Sequence, residues 1–214
     1  MNIQKESAGE FSVWLKQIKK SFVTNTSNDV PCGTCIACCS SSFFIHVEPS
    51  ETKTISAIPK ALLFSAPGLP KGHMILGYDQ KGFCPMLQNN ACSIYESRPM
   101  TCRKFDCRIF AAAGIKAGGS EKALINEKVR NWQFEYNSSE DIQTHEFIKS
   151  TAKFLIDNAK NFPPGLIPNN ETQIAIYALK YFHILKQNQC SSKDGGNERK
   201  QLVIKFTQAI SEAS

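Results

Sequence analysis

Four cysteines within eight residues are the feature that most constrains how this chain can fold. The stretch PCGTCIACC has the pattern C-x2-C-x2-C-C and is followed by a second set in CPMLQNNACSIYESRPMTCRKFDC. Two residues between cysteines let both sulfurs reach one metal from a tight turn, as in structural zinc and iron–sulfur sites. We therefore expect the folded chain to bring both segments together around metal. The predicted ligands are Cys32, Cys35, Cys38, Cys39, Cys84, Cys92, Cys102 and Cys107.

Spacing does not distinguish the metal, because four cysteines suit either a zinc ion or a [4Fe–4S] cluster. Adjacent side chains in extended backbone point in opposite directions, so Cys38 and Cys39 are awkward ligands for a single ion. One of them is expected to serve a second centre or to stay unligated. Cys190, which is isolated near the end of the chain, is interpreted as an inert thiol.

Composition predicts a globular protein in a reducing compartment. The chain has 214 residues, of which 42% are hydrophobic and 21% charged, so it can bury a core without cysteine crosslinks. The first twenty residues are charged throughout, and no apolar run approaches the length of a membrane span. We therefore predict a cytoplasmic protein with no membrane association, in which the nine cysteines stay as thiols or bind metal rather than form disulfides.

The net charge of +6 is unevenly distributed. Residues 1–118 hold 13 Lys and Arg against 8 Asp and Glu, whereas residues 119–214 hold 12 against 11. A basic half can indicate a nucleic-acid surface. Metal-bound cysteines are thiolates, however, and part of the positive excess offsets their charge. The second interpretation is preferred, which argues against nucleic acid and leaves a protein partner open.

Patterning predicts an α+β protein in three parts. Residues 1–24 contain an amphipathic helix over 9–22, residues 25–118 form the cysteine-cluster module, and residues 119–214 are helical. Short apolar runs at 43–47, 61–65 and 73–79 resemble strands. Residues 49–58 favour one or two helical turns, with Ser50 as the candidate N-cap.

Four stretches of the C-terminal part show helical signals. Ile125, Val129, Trp132 and Tyr136 follow helical spacing. Residues 138–160 combine an apolar face with Ser138 or Ser139 as an N-cap. Residues 171–187 and 198–210 complete two further helices.

Several polar residues near the cysteines are weaker candidates. His46 and His73 lie in apolar runs, where a lone histidine is more often a core or surface residue than a ligand. Arg103, Lys104 and Arg108 flank Cys102 and Cys107 and could donate hydrogen bonds to thiolate sulfur. A solvated face, or ion pairs with neighbouring carboxylates, explains these basic residues equally well.

The two cysteine segments resemble the YkgJ-like cysteine-cluster family, a zinc- or iron-chelating domain. The similarity covers residues 31 to about 110 and includes the C-P-x-L and Y-x-x-R-P-x-x-C-R-x-F-x-C elements. It implies a metal-binding domain without naming a reaction. A similar cysteine arrangement occurs in flagellin lysine methylases, but 214 residues leave little room for the long methylase insertion expected there.

These observations predict a cytosolic metalloprotein that binds zinc or an iron–sulfur cluster, with the metal mainly holding irregular loops together. Two alternatives belong to other classes. An iron–sulfur oxidoreductase or methyltransferase-like enzyme would need an open coordination position or a cofactor pocket. A metal-stabilised interaction module would present its basic face to a protein or nucleic acid in a salt-dependent way.

Overall fold

A computed structural model describes residues 5–24, 26–28, 30, 34–188 and 195–212, and it confirms the α+β class. The described residues form eight α-helices and seven short strands. The helices are α1 Phe11–Ser21, α2 Thr52–Ala57, α3 Met100–Lys104, α4 Arg108–Ala113, α5 Ala123–Asn131, α6 Ser139–Asp157, α7 Glu171–Asn188 and α8 Gly195–Glu212. None of these helices is long and apolar enough to cross a lipid bilayer.

The strands belong to three small sheets. They are β1 Glu6–Glu10, β2 Ile45–Val47, β3 Leu63–Ser65, β4 Met74–Leu76, β5 Leu87–Gln88, β6 Ala91–Cys92 and β7 Trp132–Glu135. β1 pairs with β7 in parallel, whereas β2, β4 and β3 form an antiparallel sheet in that order. β5 and β6 form a separate hairpin.

The chain divides into two compact units that are discontinuous in sequence. The helical unit comprises Met1–Lys19, Cys107–Gly118 and Val129–Ser214. The cysteine unit comprises Lys20–Asp106 and Gly119–Lys128. The linear boundaries expected from composition, after residues 24 and 118, stay a prediction.

In the helical unit, α6 and α7 pack together and α4 packs against both. One core cluster includes Leu155, Phe206 and Ile210, each at most 1% exposed. α6 begins after Ser138, whose Oγ accepts the Asp141 N–H at 3.1 Å, so the predicted N-cap is confirmed. The two helices predicted after it are confirmed as α7 and α8.

The helical prediction fails at Trp132 and Tyr136. The helix α5 ends at Asn131, and Trp132 begins the strand β7. Trp132 and Phe134 are buried while Gln133 and Glu135 are exposed, which is the two-residue period of a strand. The hydrogen-bonding partner is β1, more than 100 residues earlier, so local spacing gave no sign of it.

The side chains of α1 pack on β7 and α6. The Phe11 ring meets Phe134 edge-on at a centroid distance of 5.3 Å and stacks on His145 at 4.8 Å. Trp14 also contacts Phe134, at 4.8 Å. The predicted N-terminal helix is thus present, and its apolar stripe is buried in the helical unit.

In the cysteine unit, the three strand-like runs form the antiparallel sheet β2-β4-β3. One face of the sheet covers a core that includes Val47, Ile58, Leu76 and Met86. The helix α2 is present, but Ser50 is not its N-cap. Glu51 occupies that position without a side-chain cap, because its carboxylate binds backbone N–H groups elsewhere.

His145 is a buried neutral histidine in the helical unit. Its Nε2 lies 3.4 Å from the Ala111 carbonyl, which can only accept, so Nε2 carries the proton. Nδ1 then accepts from the Tyr136 hydroxyl at 2.6 Å. Burial, assisted by the nearby Lys149 charge, lowers the His145 pKa from 6.5 to about 4.

This shift predicts acid sensitivity of the helical unit. The unfolded chain takes up a proton near pH 6.5, whereas folded His145 does so only near pH 4, so stability falls as the pH drops between these values. The loss is at most about 3 kcal/mol. Urea unfolding at several pH values should show a weaker pH dependence in His145→Gln than in wild type. His183→Gln, at an exposed site on α7, is the control, and equal pH dependence in all three proteins would contradict the assignment.

Candidate metal centre

A backbone hydrogen bond joins the two cysteine segments. The Cys84 N–H donates to the Cys39 carbonyl at 2.7 Å, and the Ser42 N–H donates to the Gly82 carbonyl at 2.9 Å. These two bonds hold the residues after Cys38 against the turn that leads into Cys84. The last cysteine of the first segment therefore lies beside the first cysteine of the second.

The turn before Cys84 is fixed by Asp79. Its Oδ1 accepts the N–H groups of Lys81 and Phe83 at 2.8 and 2.9 Å, and its backbone N–H donates to the Phe83 carbonyl. Gly82 has φ +82° in this turn, and a Cβ there would lie 2.3 Å from Ser42 Oγ. Glycine is thus required both by the backbone conformation and by the close approach of Ser42.

The seven residues between Cys84 and Cys92 form a hairpin. β5 and β6 are connected by Asn89 and Asn90, which have φ values of +50° and +58°. Two consecutive left-handed residues give the turn that matches strand twist, and asparagine tolerates this conformation. The Leu87 N–H donates to the Cys84 carbonyl at 2.9 Å, and Leu87 pairs with Cys92 across the hairpin. The hairpin therefore returns the chain at Cys92 to the vicinity of Cys84.

Cys102 is carried by the short helix α3, which is anchored at its start. Glu51 accepts the Met100 N–H through Oε2 at 2.6 Å and the Glu48 N–H through Oε1 at 2.9 Å. Thr101 Oγ1 donates to the His46 carbonyl at 2.7 Å. α3 is therefore fastened both to the turn after β2 and to β2 itself.

The Arg103 side chain hydrogen-bonds to the backbone of the loop before α3. Its Nε donates to the Arg98 carbonyl at 2.9 Å and its Nη2 to the Glu96 carbonyl at 2.8 Å. Arg98 lies with its guanidinium 3.9 Å from the Tyr95 ring centroid and donates to the Tyr95 carbonyl. The sequence left a thiolate partner, a solvated face and a carboxylate ion pair open for Arg103, and the structure adds two backbone carbonyls as its hydrogen-bond acceptors.

Four thiols from these elements interact electrostatically. Burial, together with the charges of Cys39, Cys84 and Cys92, raises the pKa of Cys102 to about 12, and Arg98 acts in the opposite direction. Cys102 lies near the surface, but enough protein surrounds its thiol for desolvation to be the largest cause. Burial also raises the Cys84 pKa, which the N–H of Met86 lowers and Cys92 raises. These shifts place Cys39, Cys84 and Cys92 within electrostatic range of Cys102, and Cys92 within range of Cys84.

Cys38 has a different neighbour from Cys39. Lys122 Nζ donates to the Ser41 carbonyl and lies 3.6 Å from the Phe43 ring centroid. Burial lowers the Lys122 pKa, and Glu121 and Cys38 oppose that shift. The charge of Cys38 therefore acts on Lys122, whereas that of Cys39 acts on Cys102. Sequence inspection missed Lys122 because it lies more than 80 residues from Cys38.

The remaining cysteines have separate positions. Cys35 is partly buried in the cysteine unit, whereas Cys32 and Cys190 lie outside the described residues. Cys107 is buried in the helical unit, where its Sγ accepts the Trp132 indole N–H at 3.1 Å. No described cysteine is in a disulfide.

Two other groups named from the sequence have structural contacts. His46 Nε2 and His73 Nδ1 are 2.8 Å apart, and their rings stack at a centroid distance of 5.0 Å. Arg108 is buried at the start of α4, where its Nη1 donates to the Ala8 carbonyl at 3.1 Å. Lys104 accepts the Asn28 side-chain amide through its carbonyl.

The donor set suits a soft or borderline metal. Thiolates are the preferred ligands of zinc and of iron–sulfur clusters, and here four of them gather from separate elements. Among the described residues, no three Cys, His, Asp or Glu side chains already stand in an arrangement that could hold a metal ion. The fit therefore rests on the chemistry and convergence of the thiols.

A small α+β unit whose loops gather cysteines defines a cysteine-cluster metal-binding domain. A family model described as "CxxCxxCC: Putative zinc- or iron-chelating domain" matches residues 31–137, which is half of the chain. The chain belongs to this family, and the suspected resemblance is confirmed. Neither the curated proteins nor the solved structures contain a significant match.

The Gly82 turn yields a test of the junction between the cysteine segments. Gly82→Ala should strain the backbone and push on Ser42, separating Cys84 from Cys39 and lowering metal content per chain. Gly68→Ala is the matched control, since Gly68 has φ +74° with nothing within 4 Å of an added Cβ.

Both substitutions carry a backbone cost of about 1–2 kcal/mol, but only Gly82→Ala should also lose metal, as measured by elemental analysis. Equal metal content in the two variants would contradict the role given to the turn.

Proposed function

We propose that this chain is a cytosolic cysteine-cluster metalloprotein that binds zinc or an iron–sulfur cluster through its two cysteine-rich segments. The observation that carries the proposal is the backbone junction of Cys39 with Cys84 and the hairpin return of Cys92, with all three cysteines in electrostatic range of Cys102. Membership in a family of zinc- or iron-chelating domains supports metal binding independently of that geometry.

Electrostatics gives the physical reason for a bound cation. Burial first, and then the charges of the neighbouring cysteines, raise the Cys102 pKa, so the ionised thiol is unfavourable there without a compensating positive charge. A metal ion or cluster would supply positive charge at the sulfurs and displace the thiol protons. Binding is then coupled to deprotonation and to the folded arrangement of the loops.

The ligand set argues for a structural role of the metal. Cys39, Cys84, Cys92 and Cys102 would occupy four coordination positions, as in closed structural zinc sites, whereas catalytic zinc sites keep one position open. The protein contributes the Asp79 turn, the β5–β6 hairpin and the anchored helix α3, which present these sulfurs.

The other cysteines of the first segment, Cys32, Cys35 and Cys38, would complete a second centre or support the first. Cys107, which belongs to the helical unit, stays a separate prediction as a ligand. Because the Cys39 charge raises the Cys102 pKa, we expect Cys39 to belong to the four-thiol set and the adjacent Cys38 to serve a second centre or stay unligated.

The test is anaerobic purification of the full chain, followed by zinc, iron and sulfide analysis and a visible spectrum. A brown protein with iron and sulfide indicates a cluster, and a colourless protein with zinc indicates a zinc site. A fully folded protein that carries neither metal, and that does not take up either when supplied, would contradict the proposal.

Serine substitutions identify the ligands, because serine is nearly as large as cysteine but a much poorer ligand for these metals. Cys39→Ser, Cys84→Ser and Cys102→Ser should each lower bound metal substantially, while Cys190→Ser should leave it unchanged. Cys38→Ser should retain more metal than Cys39→Ser. Equal metal content in all five variants would exclude the cysteines as ligands.

A further inference from the structure

The three-stranded sheet of the cysteine unit has a second face, opposite its core. Strand register places His46, Ile75 and Phe64 in one row across the sheet, on this outer face. Phe44 and Gly77 lie just outside β2 and β4 and border this face through contact, because the Phe44 ring meets Phe64 edge-on and both rings lie beside Gly77. The core face is instead occupied by Val47, Leu76 and their neighbours.

Aromatic rings dominate this outer face and are open to solvent. Phe44 is 60% exposed, Phe64 45% and Tyr78 40%. The Phe44 and Tyr78 centroids are 4.9 Å apart, and Phe44 and Phe64 meet edge-on at 6.4 Å. Both phenylalanine rings reach over Gly77, where an added Cβ would lie 3.4 Å from Phe64 and 3.8 Å from Phe44.

The charge around the face is positive. Residues 52–78 contain no Asp or Glu but carry three lysines. Lys60 precedes β3, and Lys71 lies in the loop between β3 and β4, so exposed lysines flank both ends of this edge strand. Near Tyr78 the opposite charges of Asp79 and Lys81 offset each other, so the positive excess lies along β3.

We propose that this face binds a short stretch of single-stranded nucleic acid. Unpaired bases would stack on Phe44 and Phe64, and Lys60 and Lys71 would contact the phosphates at the two ends of β3. Exposed aromatic rings combined with a positive surface are the components of sequence-tolerant single-strand binding, and stacking requires unpaired bases.

A peptide added to the edge of the sheet is the less favoured occupant. β3 has only three residues, and lysines lie near both of its ends, which is how natural proteins discourage strand addition. From the charge distribution alone, the positive excess was better explained as offsetting the negative charge of metal-bound thiolates than as a nucleic-acid surface. The exposed rings are the additional observation, and the metal centre has no part in the proposed contacts.

The experiment is fluorescence polarisation of a labelled ten-residue oligothymidylate with the metal-loaded full chain at low and moderate salt. Wild type should bind the single strand more tightly than a duplex of equal length. Phe44→Ala and Phe64→Ala should each weaken binding about tenfold, which is within the measured range for loss of one stacked base. Ile142→Ala, at a 51% exposed apolar site on α6, is the matched control and should bind as wild type does.

The lysines are tested through the salt dependence. Lys60→Gln and Lys71→Gln should each reduce the slope of log affinity against log salt by about 0.7, while Lys200→Gln on α8 should not. Metal content and thermal transition are checked for every variant. No binding by wild type, unchanged binding by both phenylalanine variants, equal affinity for duplex, or equal competition by an oligoglutamate peptide would each overturn the proposal.

Discussion

The hydrogen bond from the Cys84 N–H to the Cys39 carbonyl is the contact on which the candidate centre depends. It joins two cysteine segments that are about 45 residues apart, and it forms only because the Asp79 turn approaches the first segment closely. Gly82 permits that approach, since its φ is positive and an added Cβ would have to displace the Ser42 hydroxyl. The seven residues between Cys84 and Cys92 are enough for the β5–β6 hairpin, which returns the chain at Cys92 to the vicinity of Cys84.

The same convergence is costly in the absence of a cation. Each neighbouring thiolate raises the pKa of Cys102, and Arg98, stacked on Tyr95, offsets only part of the effect. The hydrogen-bonded turns and the Glu51 anchor of α3 therefore hold together groups that repel one another once ionised. We propose that a bound metal neutralises the thiolates, and that its binding free energy stabilises the folded loops of the cysteine unit.

The sequence predicted those parts of the structure that depend on local patterns. The three strand-like runs, the Ser138 cap and the helices α6 to α8 followed from periodicity and capping residues. The Asn89–Asn90 turn also had a local signal, because adjacent asparagines between short runs favour a hairpin, but it was overlooked.

The parts that could not be predicted depend on contacts distant in sequence. Trp132 follows helical spacing but enters a strand, because β1 supplies its partner. Glu51 anchors α3 by accepting the Met100 N–H 49 residues later in the chain, and Lys122 has its carbonyl acceptor 81 residues away. For the centre itself, cysteine spacing named eight candidates, but only the fold distinguishes Cys39 from Cys38 by their neighbours.

X-ray absorption at the zinc and iron edges of the purified, metal-loaded protein tests the central claim most directly. Our account predicts a first coordination shell made of sulfur, at about 2.3 Å for zinc, with iron neighbours in addition if a cluster is bound. A shell dominated by nitrogen or oxygen would contradict a centre built from the gathered cysteine thiolates.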